Sequence, residues 1–463
     1  MKLNLSIAVV LLLVFNNSQA MTQSEFISRL KSTHPFFAQL NLNAQIKDID
    51  KKATTANQDW VIGVDANYKN EDADNISSVT TYSDLDTTSI DISATKKLID
   101  SGSDITFKHN WKEKDKASTS TLNTNRNKFS IDYVHPLLKN KNGINDRLST
   151  DLASIDIQIN NLDLIEQQEG FIKDKLKKFV DLAYAQQQII INNQRLDLAA
   201  QELELVKEKF NASVVDRVDV LLQEDAYQGA KQQQLQAQQD LDLLRNEIAI
   251  ILNVDISSVS AEIDLYKPYT VINDNLNDYL SSKSRVLQIT DLNHNLLKRQ
   301  LKSDKNESEV ELNLNLGIIS EGENANYSDS ISSQSPTWNV GLGLSYPIGG
   351  TKAKSNIEKT QIKITKLKQQ RREQLLDIFA QAKVLKQKIG HLSKMLDSNK
   401  VQIKIAKARA VEEKSRYENG NSQASFVISA QNNEQNVKLN YAKVAKNYQK
   451  SVIDFKAVVD QLL

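Results

Sequence analysis

The sequence predicts an α+β membrane protein that combines a transmembrane β-barrel with long coiled-coil α-helices. Three observations predict this fold class. Segments of about ten residues alternate strictly between apolar and polar side chains, as strands of membrane barrels do. Elsewhere, apolar residues recur at spacings of three and four over about 60 residues, as they do in coiled coils. The order of these segments occurs twice along the chain, which indicates two internal repeats.

The N-terminus has the pattern of a secretory signal. Lys2 precedes a short apolar run at residues 7–15, and the small residues Ser18 and Ala20 flank a cleavage site. The run is shorter than the roughly 20 residues that a membrane-spanning helix needs, which disfavours the alternative of a membrane anchor. We therefore predict a signal peptide at residues 1–20.

Composition excludes several classes of function. The 58 basic and 58 acidic residues give a net charge of zero, so nucleic acid is not an expected partner. The chain has no cysteine, so no disulfide framework is expected. The five histidines are scattered without the spacing of metal ligands, and no phosphate loop or dinucleotide fingerprint occurs. We predict neither enzymatic activity nor a metal or cofactor.

The two repeats cover residues 21–252 and 272–463, and a polar linker at 253–271 joins them. In each repeat a leading helix precedes strands, a very long helix, a short turn and a return helix. The predicted helices lie at 22–58, 146–209, 217–252, 272–308, 352–416 and 424–462. With only 13 glycines and 5 prolines in the chain, such long uninterrupted helices are favoured.

The strands carry the prediction of a membrane barrel. The alternating runs are at 60–69, 88–97, 103–112, 127–135, 310–319 and 338–346. The three tryptophans, Trp60, Trp111 and Trp338, lie near the ends of runs, where an aromatic girdle meets the membrane interface. A soluble half-buried sheet alternates in the same way and is the competing interpretation of any single run. The polar segments 70–87, 113–126 and 320–336 are assigned to the cell exterior.

One chain has too few strands to close a pore, so several chains must share the barrel. The polar faces of the long helices likewise require a water-filled interior. Oligomerisation is therefore part of the prediction.

Short motifs at the strand exits and helix turns add a family resemblance. The exits read His135-Pro136-Leu137-Leu138 and Tyr346-Pro347-Ile348-Gly349-Gly350. The turns read Phe210-Asn211-Ala212-Ser213-Val214, followed by Asp219-Val220-Leu221, and Tyr417-Glu418-Asn419-Gly420-Asn421, followed by Phe426-Val427-Ile428. In their order and spacing, these motifs make the mature chain resemble the TolC-like outer-membrane channel-tunnel family over essentially its whole length.

The resemblance implies a homotrimer whose β-barrel lies among the lipids of the outer membrane and whose helical barrel crosses the periplasm. It implies a passive exit duct of a tripartite efflux or type I secretion system. Its partners would be a periplasmic membrane-fusion adaptor and an inner-membrane pump of the ABC or resistance-nodulation-division type. The implied adaptor contacts are Asn211, Ala212, Ser213, Val214, Asn419, Gly420 and Asn421.

The chain departs from the family at the predicted periplasmic gate. Phe426 and Ser429 stand where the best-known members carry acidic rings, so a cation-binding aspartate gate is not expected. Asp219 matches a tip aspartate, but its usual basic partner is replaced by Ser422. Arg217 or Arg416 could substitute, and the sequence leaves this open. Asp219, Phe426 and Ser429 are the predicted gate residues.

Two further questions stay open at this level. The family plan needs two strands in the first half, whereas four alternating runs occur there, with a tight turn at 99–102. Either the barrel has additional strands or one pair forms a hairpin outside the membrane.

The alternative function is a periplasmic coiled-coil scaffold or tether without a pore, which would leave the amphipathic strands unexplained. Neither the exported substrate nor the particular pump can be read from the residues.

Overall fold

A computed structural model describes residues 20–72, 83–116, 123–271 and 275–463. The predicted signal peptide, except Ala20, lies outside the described residues, as do parts of the predicted exterior loops. The chain forms two compact units. One comprises the described parts of Met1–Asn41, Leu164–Arg285 and Gln374–Leu463, and the other comprises those of Leu42–Asp163 and Val286–Glu373.

Very long helices dominate the described chain. The α-helices are α1 (Gln23–Thr33), α2 (Pro35–Ala53), α3 (Leu148–Asn211), α4 (Arg217–Leu252), α5 (Leu276–Lys283), α6 (Arg285–Glu307), α7 (Tyr327–Ser332), α8 (Thr351–Glu418) and α9 (Ala424–Val458). Helices α3 and α8 have 64 and 68 residues, as their sustained apolar spacing predicts. None of the described helices combines the length and apolar character needed to cross a bilayer.

The prediction of single leading helices at 22–58 and 272–308 is wrong in detail, because each is broken once. His34 adopts an extended conformation between α1 and α2, which the following Pro35 enforces by disfavouring helical geometry at the residue before it. Ser284 is extended between α5 and α6, and the Arg285 backbone N–H donates to the Asp460 carboxylate instead of continuing a helix. Helix α9 also ends earlier than predicted, and Asp460 takes a left-handed φ of 57° just beyond it.

All six predicted strands are present and form one antiparallel sheet in the order β1-β2-β3-β4-β5-β6. The strands are β1 (Val61–Asp72), β2 (Asp84–Leu98), β3 (Ser103–Lys116), β4 (Thr124–Pro136), β5 (Glu311–Asn324) and β6 (Ser335–Ser345). They extend into segments that the sequence analysis assigns to loops. The predicted loop at 320–336 also contains the short helix α7.

The register of the sheet gives it one apolar face and one polar face. Residues directly opposite each other in an antiparallel pair share a face. Val64 lies opposite Ile92, Ile92 opposite His109, and His109 opposite Phe129. The same face continues through β5 and β6, where Leu314 lies opposite Leu342. A slip of one residue in any pair would reverse the faces of that strand, so the alternating pattern fixes the register.

The apolar core of the first unit lies where the long helices meet the N-terminal helix α1. The Phe26 ring of α1 stacks on Phe179 of α3 at a centroid distance of 4.4 Å. Leu176 of α3 and Phe455 of α9 are fully buried in the same cluster. The burial of apolar surface in this cluster stabilises the helices. The remaining faces of the helices are polar and contribute little to their stability.

Candidate functional site

The polar face of the sheet is lined by paired charges. Lys97 lies 3.2 Å from Asp104 and Lys108 lies 3.5 Å from Asp132 across neighbouring strands. Asn110 donates to Asp91 at 2.7 Å. The Lys97–Asp104 and Lys108–Asp132 pairs each combine opposite charges, and the amide of Asn110 binds the Asp91 carboxylate, so this face is hydrophilic.

The apolar face is exposed in the single chain. The exposed fractions of Ile62, Trp338 and Leu342 are 72%, 77% and 70%. A contiguous apolar surface of this kind marks contact with a membrane or with another protein. The sheet can therefore separate an apolar environment on one side from water on the other.

The three tryptophans predicted at a membrane interface lie at different levels of the sheet. Trp60 immediately precedes β1, at the end of the sheet to which the helices connect, and the Lys96 ammonium lies 5.6 Å from the centroid of its ring. Trp111 lies in the second half of β3, and Trp338 lies near the start of the oppositely directed β6. The last two are therefore displaced towards the other end of the sheet. Their role at the interface stays a prediction.

Helix α7 packs against the apolar face, which the sequence analysis missed. The Asn127 amide donates to the Ser330 hydroxyl at 2.7 Å, and the Trp111 ring meets the Tyr327 ring edge-on at 6.4 Å. A Cβ on Gly322 would lie 2.1 Å from the Ser330 carbonyl oxygen, so glycine is required for this approach. The helix covers polar side chains that the apolar face would otherwise expose. The segment is rich in serine and asparagine, and the only helical signal in it is the spacing of four between Tyr327 and Ile331.

The two predicted tip turns have the same backbone geometry. Ser213 and Gly420 take left-handed φ values of 59° and 76°. In each turn the next residue closes a hydrogen bond of 2.8 Å to the carbonyl five residues earlier, from Val214 to Lys209 and from Asn421 to Arg416. This is the helix-ending motif that glycine favours. The predicted adaptor contacts are all exposed: Asn211, Ala212, Ser213, Val214, Asn419, Gly420 and Asn421.

A cation–π contact joins the two turns. The Lys209 ammonium at the end of α3 lies 4.7 Å from the centroid of the Tyr417 ring at the end of α8. Burial, with a smaller contribution from the nearby Asp219 carboxylate, raises the pKa of Tyr417. Within the described residues, Asp219 forms no ion pair with Arg217 or Arg416.

The other predicted gate residues lie on the first two turns of α9. Phe426 is 52% exposed and Ser429, three residues later on the same face, is also exposed. Val427 between them is buried, with 3% of its surface exposed. The side of α9 that carries Val427 therefore packs against the rest of the chain. Phe426 and Ser429 lie on the surface, where they can contact a partner or line a pore. Ser422, which takes the place of the family's basic residue, donates to Glu413 at 3.0 Å.

A layer of buried polar side chains connects α3 and α9 within about four helical turns of the tip turns. Arg195 is 5% exposed and donates from Nε and Nη2 to the Asn432 side-chain oxygen at 3.1 and 3.0 Å. The Glu202 carboxylate accepts from the Gln431 amide, and burial raises the pKa of Glu202. Among the residues that the structure describes, Arg195 Nη1 and Glu202 Oε2 find no hydrogen-bond partner. A partly satisfied polar layer holds helices together less firmly than an apolar one.

A second buried cluster fastens the end of the chain. The Arg285 guanidinium contacts the carboxylates of Glu166, Glu169 and Asp460, and oxygens of these three carboxylates lie within 4.8 Å of one another. Glu169 Oε1 also accepts from the Leu462 backbone N–H at 3.0 Å. Burial raises the pKa of Glu166, and the negative charge of Asp460 adds to this effect. Arg285 supplies the positive charge among these groups. The cluster therefore has a structural role and joins the α5–α6 junction to the C-terminal residues of the chain.

Comparisons with solved structures identify the fold. The open state of the Neisseria gonorrhoeae MtrE outer membrane channel matches with a TM-score of 0.68 at 13% identity, over 95% of this chain and 89% of that chain. The outer membrane protein VceC of Vibrio cholerae matches with a TM-score of 0.65 at 9% identity, over 94% of this chain and 95% of that chain. The Campylobacter jejuni CmeC outer membrane channel matches with a TM-score of 0.65 at 10% identity, over 95% and 86%.

No protein-family model matches the sequence. No curated protein matches it significantly either. The agreement with the solved structures covers almost the whole chain, so the fold is that of the outer-membrane channels. This confirms the resemblance in sequence for the fold of a single chain.

Proposed function

We propose that this chain is one subunit of a TolC-like channel that lies in the outer membrane and acts as a passive exit duct. The observation that carries the proposal is the single sheet with one apolar and one polar face, in a chain that has the fold of outer-membrane channels over almost its whole length. Lipid would cover the apolar face, and the paired charges of the polar face would line a water-filled lumen. Nothing in this arrangement requires chemistry on the cargo.

Several copies are needed because the sheet has two free edges. Three copies, the number that the resemblance implies, would close a common barrel, and the long helices α3, α4, α8 and α9 of each copy would continue the duct through the periplasm. The three tryptophans would then lie at the interfaces of the membrane. A signal peptide at residues 1–20 would direct the chain across the inner membrane into the periplasm.

The tip turns are the proposed contact with the adaptor of a tripartite efflux or type I secretion system. The residues around Ser213 and Gly420 are exposed, and the left-handed geometry makes both turns compact. The Lys209–Tyr417 contact holds the two turns side by side, so an adaptor could engage both of them at once. The energy for transport would come from an inner-membrane pump that the adaptor connects to this tip.

Phe426, Ser429 and Asp219 form the proposed periplasmic gate. Without an acidic ring, closure would depend on the bulk of Phe426 and on helix packing, and not on bound cations. Opening would require the tip helices to move apart. The polar layer around Arg195 and Glu202 favours such movement, because its hydrogen-bonded side chains can bind water when the helices separate, whereas an apolar seam would lose buried surface.

A planar-bilayer experiment tests the proposal. The protein is purified in detergent from the outer-membrane fraction, and single-channel currents are recorded. We expect discrete channels of uniform conductance. Well-folded protein that gives no currents, or that is absent from the outer-membrane fraction, would favour the alternative of a periplasmic coiled-coil scaffold without a pore.

A further inference from the structure

The first half of the chain contributes four strands to the sheet, two more than the family plan requires there. All six strands nevertheless belong to one sheet, and none of these six forms a separate hairpin. Strand β2 is paired along its length on both sides, from Val61–Thr95 to Asp72–Asp84 with β1 and from Leu85–Lys116 to Leu98–Ser103 with β3. The apolar residues of β2 and β3 face the same side as those of β4 and β5. These two strands are therefore part of the two-faced sheet.

The turn between β2 and β3 packs closely against the segment between β4 and α3, at the end of the sheet to which the helices connect. A Cβ on Gly102 would lie 2.3 Å from the Asn140 carbonyl oxygen, and both Gly102 and Gly143 have positive φ. The Lys97 ammonium reaches Asp146 at 3.4 Å beyond the end of β4. Only glycine fits such a close approach of two backbones. The turn is therefore packed against the junction that leads into α3 and does not project from the sheet.

The two edges of the sheet are complementary. With six strands in strict alternation, β1 and β6 run in opposite directions, so β1 of one copy can pair antiparallel with β6 of the next. Apolar side chains on the edge strands are the most exposed of their face. Ile62 is 72% exposed against 44% for Ile92, and Leu342 is 70% exposed against 38% for Leu316. A second copy at each edge supplies the missing neighbours.

We propose that each chain contributes six strands to the shared barrel, so that three chains close a barrel of 18 strands. This inference rests on the proposed function. With strands about 4.8 Å apart and tilted by about 40°, 18 strands give a backbone diameter of about 36 Å, against about 24 Å for 12 strands. Side chains that reach about 5 Å inwards leave an opening of about 25 Å. The outer mouth therefore admits bulky hydrophilic cargo, such as a polypeptide.

A deletion tests the strand number. Removal of residues 83–122 eliminates β2 and β3 and leaves β1 antiparallel to β4, with the apolar residues Val64 and Phe129 still on one face. End-on electron micrographs of the detergent-purified channels then measure the barrel diameter. We expect the diameter to fall by about one third, and the size of polyethylene glycol that enters from the sheet side to fall with it. Equal diameters in the two proteins would overturn the proposal.

Thiol labelling of the full chain gives an answer even if the deletion variant does not fold. The chain has no cysteine, so a single introduced one is unambiguous. Phe107 faces the apolar side of β3 and Lys108 the polar side. In reconstituted channels, Lys108→Cys should react with a water-soluble thiol reagent at least tenfold faster than Phe107→Cys. Equally fast labelling of both would place β3 outside the membrane and refute the inference. Absence of channels from the unaltered protein would instead refute the proposed function.

Discussion

Gly143 approaches the carbonyl oxygen of Ile99 so closely that a Cβ on Gly143 would lie 1.6 Å from that oxygen. Gly143 also has a φ of 62°, which residues with a side chain rarely adopt. Ile99 belongs to the turn between β2 and β3, and Gly143 belongs to the segment between β4 and α3. This contact couples the base of the sheet to the start of the longest helix of the first half.

Substitution of Gly143 by alanine should destabilise the protein, because the backbones of the two segments would have to separate. We expect a loss of about 2 kcal/mol or more in the free energy of unfolding, measured by thermal denaturation of detergent-purified protein. Gly229→Ala is the matched control. Gly229 lies within α4 with no atom near its missing Cβ, so alanine there should stabilise the helix by up to about 1 kcal/mol. Similar losses in the two variants would contradict the role of the contact.

Exchange of the residues at the two tip turns should have opposite effects. Ser213 and Gly420 both occupy left-handed positions, where a side chain costs about 1 kcal/mol. Ser213→Gly should therefore stabilise the first turn, and Gly420→Ser should destabilise the second by a similar amount. Hydrogen exchange of the amides at Val214 and Asn421 reports on each turn separately. If Ser213→Gly loosens its turn, the hydroxyl of Ser213 has a role beyond backbone geometry.

Truncation of the predicted gate should alter conduction and leave stability almost unchanged. Phe426→Ala and Ser429→Ala remove exposed groups, so the free energy of unfolding should change by less than about 0.5 kcal/mol. Single-channel recordings should show a higher conductance or a longer open time for Phe426→Ala.

Val427→Ala is the control for the gate variants. This buried side chain should cost about 1 to 2 kcal/mol in stability, through packing and not through the pore. If currents through Phe426→Ala and Ser429→Ala channels match those of the unaltered channel, the gate lies elsewhere, with Asp219 as the remaining predicted residue.

Arg285 should be a major determinant of stability. Arg285→Met leaves the buried carboxylates of Glu169 and Asp460 without their positive partner, since their side chains are only 3% and 10% exposed. We expect a loss of about 3 to 5 kcal/mol in denaturant unfolding. The matched control is Arg371→Met, which breaks a pair with the half-exposed Asp291 and should cost no more than about 1 kcal/mol. Comparable losses in both variants would argue against the special position of Arg285.

The same cluster should make stability depend on pH. Burial raises the folded-state pKa of Glu166 above its ordinary value of 4.5, so the folded chain binds this proton more tightly than the unfolded chain. The stabilisation is complete below about pH 4.5 and is lost as the pH rises through the raised pKa. Thermal midpoints should fall over that interval, and the fall should be smaller in Glu166→Gln. An identical pH profile in the two proteins would exclude Glu166 as the source.

Local patterns in the sequence were sufficient to predict the six strands and the long helices of the fold. Alternation located all six strands, and apolar spacing located α3 and α8 to within a few residues, because both periodicities reflect which side chains face a common surface. The tip turns were also predictable, since Gly420 and the residues around Ser213 are local signals for the end of a helix. The breaks at His34 and Ser284 differ in this respect. Pro35 signals the first, whereas the second depends on the distant Asp460 carboxylate.

The two-faced strands, the long helices and the exposed turns could therefore be predicted, because each depends on residues that are close along the chain. Three features became evident from the three-dimensional arrangement: β2 and β3 join the main sheet, α7 covers part of the apolar face, and Arg285 contacts three carboxylates. The contacts of α7 and of Arg285 join residues more than a hundred positions apart, such as Asn127 with Ser330 and Arg285 with Glu166. Strands β2 and β3 join the sheet through backbone pairing with β1 and β4. Local periodicity carries no information about which distant partner satisfies a buried polar group.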